Sequence, residues 1–549
     1  MTDKDRAKEV CQRYDRLWAT QGNWRDIWQD CASYVSPRKG NIEEERSSGE
    51  RQTDEVYDTT ATEAANIFAA GMISQLTPAG EIWARYTPKG DAPEDVKAWL
   101  DECSQIAMKV IHASNFYLGY HEDSLDSGIF GSSLLFVDED EEDLINTTNV
   151  PVGKFVWEEN HRGEIDTVIR SFEFTARQCE QRFGEKYLPD SVKDCLKGGG
   201  NSEGKMFEIL HQVRPRAKNV MKGMVVPELR PIESLYVIKE GTCLVQEGGY
   251  YDMPFMGGRL LKSNGELYGR GPATQVMPEI KTVNRMERDL LIASEKMVNP
   301  PWLMPDDGAY QPDNRAGGVT YYDALTPNAK PEQMQLSHRV DIGEAKADQK
   351  RRRINEAFHV PMFQMLTNMQ EQRREKTAFE VAEMMQEKLL MFSPIFARNV
   401  EEKLTPFMER VFGICLRAGR FPQPPQSVID AGGALEYQLE YVSKIALAIR
   451  AALTDSIGTI IQLIEMASQF DPSVVHVVAW RDAVRQFLEN KGFPSQLVRN
   501  DEQVDQIMAQ IAQAQNEAAA PEQAQQMAKA VKDLGPDAQA AAVEAVAAG

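Results

Sequence analysis

Residues 267–291, LYGRGPATQVMPEIKTVNRMERDLL, place two glycines around an arginine directly ahead of a long helical pattern. The reading of this stretch decides between a nucleotide-binding fold and a helical scaffold. A glycine-rich turn that feeds a helix N-terminus is a common way to hold phosphate. The dinucleotide fingerprint needs GxGxxG between a strand and a helix. Here Thr274 takes the third glycine position, and Pro272 removes a backbone N–H where a phosphate cradle requires donors. Gly269, Gly271 and Pro272 are therefore expected to form a sharp turn, the hinge into a helix over 278–298. On that helix Ile280, Val283, Met286, Leu290, Leu291 and Met297 share one side.

Downstream, 299–338 is dense in proline, glycine and asparagine. It is too long for a passive loop and predicts a small β-containing module. A charged helix returns over 339–358 and carries Lys350, Arg351, Arg352 and Arg353. A methionine-rich loop fills 359–376, and Thr377 with Glu380 spells a capping box, each side chain satisfying the other's orphan amide. The helix it opens runs to about Ala418, kinked rather than ended by Pro394 and Pro406. From about 441 the pattern is helical again, and 508–549 is an Ala/Gln-rich tail that buries little.

Upstream, one helical pattern runs from Tyr14 through Trp28 to Val35, where Ser36-Pro37 stops it. Asp58-Thr59 is placed to cap a helix with a small apolar face of Ala61, Ala65, Phe68, Met72 and Leu76. Two further helices fit 96–116 and 119–130. From 132 to about 255 the texture changes to β-rich runs, SSLLFVDE, GKFVWEE, IDTVIRSFEF, KMFEILHQV, SLYVIKE and YYDMPF, with a short helix at TARQCEQRFG. The fold class expected is α+β, predominantly α, with an elongated subunit.

Composition narrows function mainly by exclusion. The chain of 549 residues is too long for one core, so two to four structural units are expected. Sixty-one basic against 83 acidic residues give a net charge of −22, which disfavours a surface that grips nucleic acid throughout. No apolar run of membrane-spanning length or signal peptide is read, so no membrane association is expected. GxxxxGK[ST] and HExxH are both missing from the sequence. The acidic run DEDEED (138–143) lacks the ligand spacing of a calcium loop and reads as a hairpin tip. Seven dispersed cysteines without a CxxC pair read as reduced thiols. No catalytic residue, metal or cofactor is expected.

Several ordered segments nonetheless carry a resemblance. YDTTATEAANIFAAGMISQLTPAGEIWARYTP (57–88), YGRGPATQVMPEIKTVN (268–284) and NPP (299–301) are followed by FHVPMFQML (358–366) and KTAFEVAEMMQEK (376–388). LTPFMERVFGICLRAGRFPQPP (404–425) and LEYVSKIALAIRA (439–451) continue the order. Together they resemble the portal, or head-to-tail connector, proteins of short-tailed, T7-like bacteriophages. Phe379 departs from the small polar residue expected there, and the tail matches nothing in the family.

The resemblance implies a ring of about twelve subunits at one capsid vertex, through which double-stranded DNA is packaged and ejected. It implies a wing over 1–277, including the β-rich 132–255, and a stem helix over 278–298. A clip at 299–338 follows, then a returning stem helix at 339–358 and a channel loop at 359–376. Residues 377–440 form the long kinked helix and wing return, and 441–507 the crown. The implied partners are the major capsid protein, the terminase packaging motor, the tail adaptor and internal core or ejection proteins. The implied location is the virion, after assembly in the host cytoplasm. Twelve helices at about 10 Å spacing leave a bore of roughly 28 Å, wide enough for a duplex. Lys350, Arg351, Arg352, Arg353, Arg373, Arg374 and Lys376 are candidates to touch passing phosphates; salt bridges between neighbouring stem helices are the competing reading of them. Alternatives to a portal are another virion structural protein, of the tail or ejected interior, or a DNA-processing enzyme.

Overall fold

The computed structural model describes residues 2–44, 49–50, 53, 55–90, 92–140, 142–198, 204–216, 226–303, 332–333, 340–364, 392–430, 436–442, 484 and 504–511. The chain divides into two units, Met1–Ala452 and Leu453–Gly549. Of the second, 484 and 504–511 are described and are helical. The first unit is α+β with helix predominating.

The aromatic-rich N-terminal pattern forms two helices rather than one, α1 (Asp3–Thr20) and α2 (Gly22–Val35). Gln21 makes the break, because its side chain is drawn inward to donate to the Phe155 carbonyl at 3.1 Å. Such a long-range contact leaves no local signal. A capping box of Thr2 and Asp5 opens α1.

Helix α3 (Thr60–Leu76) buries Ala61, Ala65, Phe68, Met72 and Leu76, the face read from the sequence. The cap is shared: Thr59 is the boundary residue, while the Asp58 carboxylate accepts the Thr60 N–H at 3.0 Å. Strand β1 (Ala84–Pro88) follows, then α4 (Glu94–Ala113) and α5 (Phe116–Phe130). Trp99, Cys103 and Ile111 of α4 are buried, with Ile106 and Val110 packed beside them.

The β-rich region makes two antiparallel sheets. Strands β2 (Ser132–Asp140), β3 (Leu144–Val150) and β9 (Phe255–Arg259) pair in the order β3-β2-β9. Strands β4 (Phe155–Glu159), β5 (Ile165–Thr175), β6 (Met206–Pro215), β7 (Ile232–Ile238) and β8 (Cys243–Tyr250) form a meander in chain order. The acidic run ends β2 and leads into the turn to β3, where the Asp140 carboxylate accepts the N–H groups of Glu142 and Asp143. YYDMPF is not one strand; it spans the end of β8 and the start of β9.

Alternation along the meander sends neighbouring residues to opposite faces. Leu235 and Val237 pack on Ala7, Val10 and Tyr14 of α1. Tyr236 and Ile238 face Ala176, Cys179 and Phe183 of α6 (Ala176–Phe183) and Val192 of α7 (Asp190–Gly198). The sheet is therefore covered on both sides. This is why its strands read as near-continuous apolar runs.

Beyond the sheets come a one-turn helix α8 (Pro272–Gln275), α9 (Met277–Val298), the short strands β10 (Trp302–Leu303) and β11 (Glu332–Gln333), and α10 (Val340–Ala357). Residues 360–364, read as the start of a loop, are helical (α11), and Phe363 packs edge-on against Phe68 and Phe392. Helix α12 (392–399) continues through a π turn (Val400–Leu404) into α13 (Thr405–Arg417). Pro406 lacks an amide donor and its ring crowds the preceding turn; the wider π turn absorbs that conflict. After α14 (Gln426–Asp430), β12 (Tyr437–Tyr441) returns to pair antiparallel with β1, from Ala84 opposite Tyr441 to Pro88 opposite Tyr437.

Candidate functional site

The two glycines of the opening stretch sit where two backbones cross. Gly131 ends α5 in the left-handed region, with φ of 79°. A side chain on it would strike the backbone of Arg270 and Gly271, and one on Gly271 would lie 2.7 Å from the Gly128 carbonyl. The crossing is stitched by hydrogen bonds: Gly269 N–H donates to Ser132 Oγ and Arg270 N–H to the Leu261 carbonyl, both at 2.8 Å. These amides are consumed inside the protein and do not face a ligand. Pro272, buried, starts α8 without wasting a donor. Arg270 pairs with Glu266 and lies over the Trp24 ring.

The crossing fixes the start of α9, which runs antiparallel to α10. Glu279 faces Lys350 and Leu290 faces Gly343, so the numbers rise on one helix as they fall on the other, while the long side chain of Arg351 reaches along the pair to Glu287. A Cβ on Gly343 would meet Leu290 at 2.7 Å; glycine there lets the helices approach closely.

At the root of this pair, polar groups tie both helices to the segment ahead of α3. Asn284 is buried; its Oδ1 accepts from Tyr57 N–H at 2.6 Å and Asp58 N–H at 3.2 Å, and its Nδ2 donates to the Glu55 carbonyl. Arg351 donates to Asp58 at 2.8 Å, to Asp348 at 2.9 Å and to Glu287. Partial burial works against the Arg351 charge, but the bonds to Asp58 and Asp348 outweigh it and raise its pKa above the usual arginine value. Sequence reasoning singled out Arg351, took Asp58 only as a helix cap, and missed Asn284 and Glu287. The partners that tie these three together lie more than 60 positions away, and no local pattern marks those pairings.

The seven basic candidates thus separate. Arg351 is engaged within its own chain, and Lys350 lies 3.7 Å from Glu279. Arg352 and Arg353 are exposed. Arg373, Arg374 and Lys376, with the capping pair Thr377 and Glu380, lie outside the described residues. His359, at the end of α10, adopts φ of 56° and packs edge-on against Phe392 rather than standing free on the surface.

The apolar side read for α9 holds over its first half only. Ile280 and Val283 are buried. Leu291 is 57% exposed, Met297 50% and Val298 87%, with Ile292 and Ile342 of α10 also exposed. Five large apolar side chains at the far end of the pair meet no partner that covers them within the described residues.

The chain matches the family described as "Bacteriophage head to tail connecting protein" over residues 7–498. The chain belongs to this family. Among its curated relatives is the "Portal protein" of Salmonella phage epsilon15, 27% identical over 544 residues, covering 97% of this chain and 95% of the relative. The "Probable portal protein" of Bordetella phage BPP-1 is 26% identical over 539 residues, with 94% and 93% covered. The connector family match spans both sheets, the glycine crossing and the helix pair. No helix among the described residues is long and apolar enough to cross a membrane.

Proposed function

We propose that this chain is the portal subunit of a phage head, acting without catalysis as a ring of about twelve at one capsid vertex. In this reading 1–277 forms the wing, α9 and α10 the stem beside a DNA channel, 299–338 the clip, 359–376 the channel loop and 441–507 the crown. Residues 377–440 carry the kinked helix back into the wing. The wing would meet the major capsid protein, the clip the terminase motor and later the tail adaptor, and the crown the internal core or ejection proteins.

The observation that carries this reading is the helix pair. It is anchored at its root by Asn284 and Arg351, yet leaves Leu291, Ile292, Met297, Val298 and Ile342 bare at its far end. An apolar patch of that kind marks an interaction surface, and in a ring the neighbouring helix pair supplies the cover. The family match and two full-length portal relatives support the same assignment. Of the named candidates, Arg352 and Arg353 are the described ones left exposed to meet phosphates. A net charge of −22 leaves few of them, which suits a duplex that must slide.

Native mass spectrometry with top-view electron microscopy of the purified chain tests the proposal. A closed ring of about twelve with a central hole is expected. A monomer, or an open filament, overturns it.

A further inference from the structure

A cleft of about 500 Å³ opens between the edge strand β3 and strand β5, sharing no lining residue with the helix pair or the glycine crossing. Phe172, Phe174, Phe183 and Tyr236 give it an apolar wall, and Lys154, Arg170 and Arg182 bring three positive charges. Among the described residues, no carboxylate lies within ion-pair distance of these three. On the α1 side of the meander cations are closely matched: Arg6 and Arg216 pair with Glu233 and Glu247, and Arg214 with Glu233 and Glu9.

Arg170 is held in place by rings and an imidazole rather than by an ion pair, with the largely buried Asp138 carboxylate near enough to feel its charge and that of Arg182. Its guanidinium lies 3.9 Å from the Phe136 centroid, and its Nε donates to His211 Nδ1 at 3.1 Å. His211 is fully buried, stacked on Tyr236 at 3.9 Å, with Nε2 3.0 Å from Ser234 Oγ. Because Nδ1 accepts, the ring proton sits on Nε2 and the imidazole is neutral. Burial, with Arg170 and Arg182 nearby, holds its pKa well below the ordinary 6.5. The remaining N–H groups of Arg170 are pre-positioned for an acceptor from outside, since ring stacking holds a guanidinium without using its donors.

Asn149 supplies the complementary half. Its Nδ2 donates to Asp126 Oδ2 at 2.7 Å, which fixes the amide orientation and leaves Oδ1 as the free acceptor. That Oδ1 is buried without a partner in the cleft lining. A buried acceptor of this kind is completed by an N–H donor. A phosphodiester backbone offers acceptors only, whereas a peptide brings both carboxylate and N–H. Glu173 in the same wall also disfavours a polyanion.

We propose that this cleft docks a segment of a partner protein that presents an acidic side chain next to an aromatic or aliphatic one. The carboxylate meets Arg170, Arg182 and Lys154, the apolar neighbour lies on the phenylalanine wall, and a peptide N–H reaches Asn149 Oδ1. The inference stands whether or not the chain forms a ring.

The test is fluorescence anisotropy of the full chain, in whatever oligomer it forms, with a labelled acetyl-Leu-Asp-Glu-Phe-amide probe. Saturable, salt-sensitive binding is expected, weakened about tenfold or more by Arg182→Gln and by Lys154→Gln, with acetyl-Leu-Lys-Lys-Phe-amide failing to bind. Arg182 is exposed, so its replacement leaves the fold intact. No binding, equal binding of the lysine peptide, indifference to both substitutions, or stronger competition by a short single-stranded oligodeoxynucleotide than by unlabelled acidic peptide would each overturn the proposal.

Discussion

The sheet-bearing body and the α9–α10 pair handle charge and apolar surface in opposite ways. In the body, cations go inside and find partners there. Lys403 is buried against Asp123 and Ser133, Arg259 joins Glu159 and Glu402, and Arg410, wholly buried, donates to the carbonyls of Val137 and Asp252. In the helix pair, ion pairs gather at the root, while the far end exposes apolar side chains and charges alike. The difference lies in what each part leaves open. The body pairs its most deeply buried charges internally and leaves polar groups open at the β3–β5 cleft; the far end of the pair leaves apolar contacts for something else to make.

The largest effect that sharpens this comparison is expected inside the body. Lys403→Met leaves the Asp123 carboxylate buried and unpaired, at a cost of about 3–5 kcal/mol. Urea unfolding should show it, and adding Asp123→Leu should recover most of the loss. A shift under about 1 kcal/mol would mean that the body does not depend on its interior pairs.

A smaller effect concerns pH. The His211 pKa is lowered on folding, so above pH 6.5 both folded and unfolded states hold the neutral ring and nothing is lost. As pH falls below 6.5, the unfolded chain takes up a proton that the folded chain refuses. Stability then declines by up to about 1.4 kcal/mol per pH unit until the folded value is reached. The difference in unfolding free energy between wild type and His211→Gln, followed from pH 7.5 to pH 5 (roughly the window set by an ordinary histidine), should show that slope; parallel curves would refute it.

The smallest effect on stability belongs to the helix pair. Leu291→Ser with Val298→Ser should change the unfolding free energy by no more than about 0.5 kcal/mol per site, since both are already exposed. The same substitutions should reduce the oligomer seen by native mass spectrometry. An unaltered oligomer would place the neighbouring contact elsewhere.

Much of the secondary structure was legible because it depends on short-range pattern. The α3 face, the short helix at TARQCEQRFG and the bounds of α9 and α10 all follow from short-range spacing and breakers. Strand β3, LINTTNV, escaped because an edge strand with one solvated face alternates too weakly in polar residues. The β1–β12 ladder escaped for another reason: each strand has five residues, and their partners lie more than 340 positions apart. At the site, the sequence marked the Lys350–Arg353 run but not which member was already engaged. Pairing of Arg351 with Asp58 needs the loop ahead of α3 to meet α10.

The stretch 267–291 shows where the division falls. The sequence by itself determined that Gly269-Arg270-Gly271-Pro272 is no phosphate cradle, because proline has no amide to offer and the third glycine is missing. It also determined a helix beyond that turn, since periodicity and caps act within a few residues. Only the tertiary structure decided that the glycines serve a crossing with Gly131, and that the apolar stripe of α9 is buried at its root and bare at its end. Close approach and burial depend on which distant segment arrives, and that is settled by packing of the whole body.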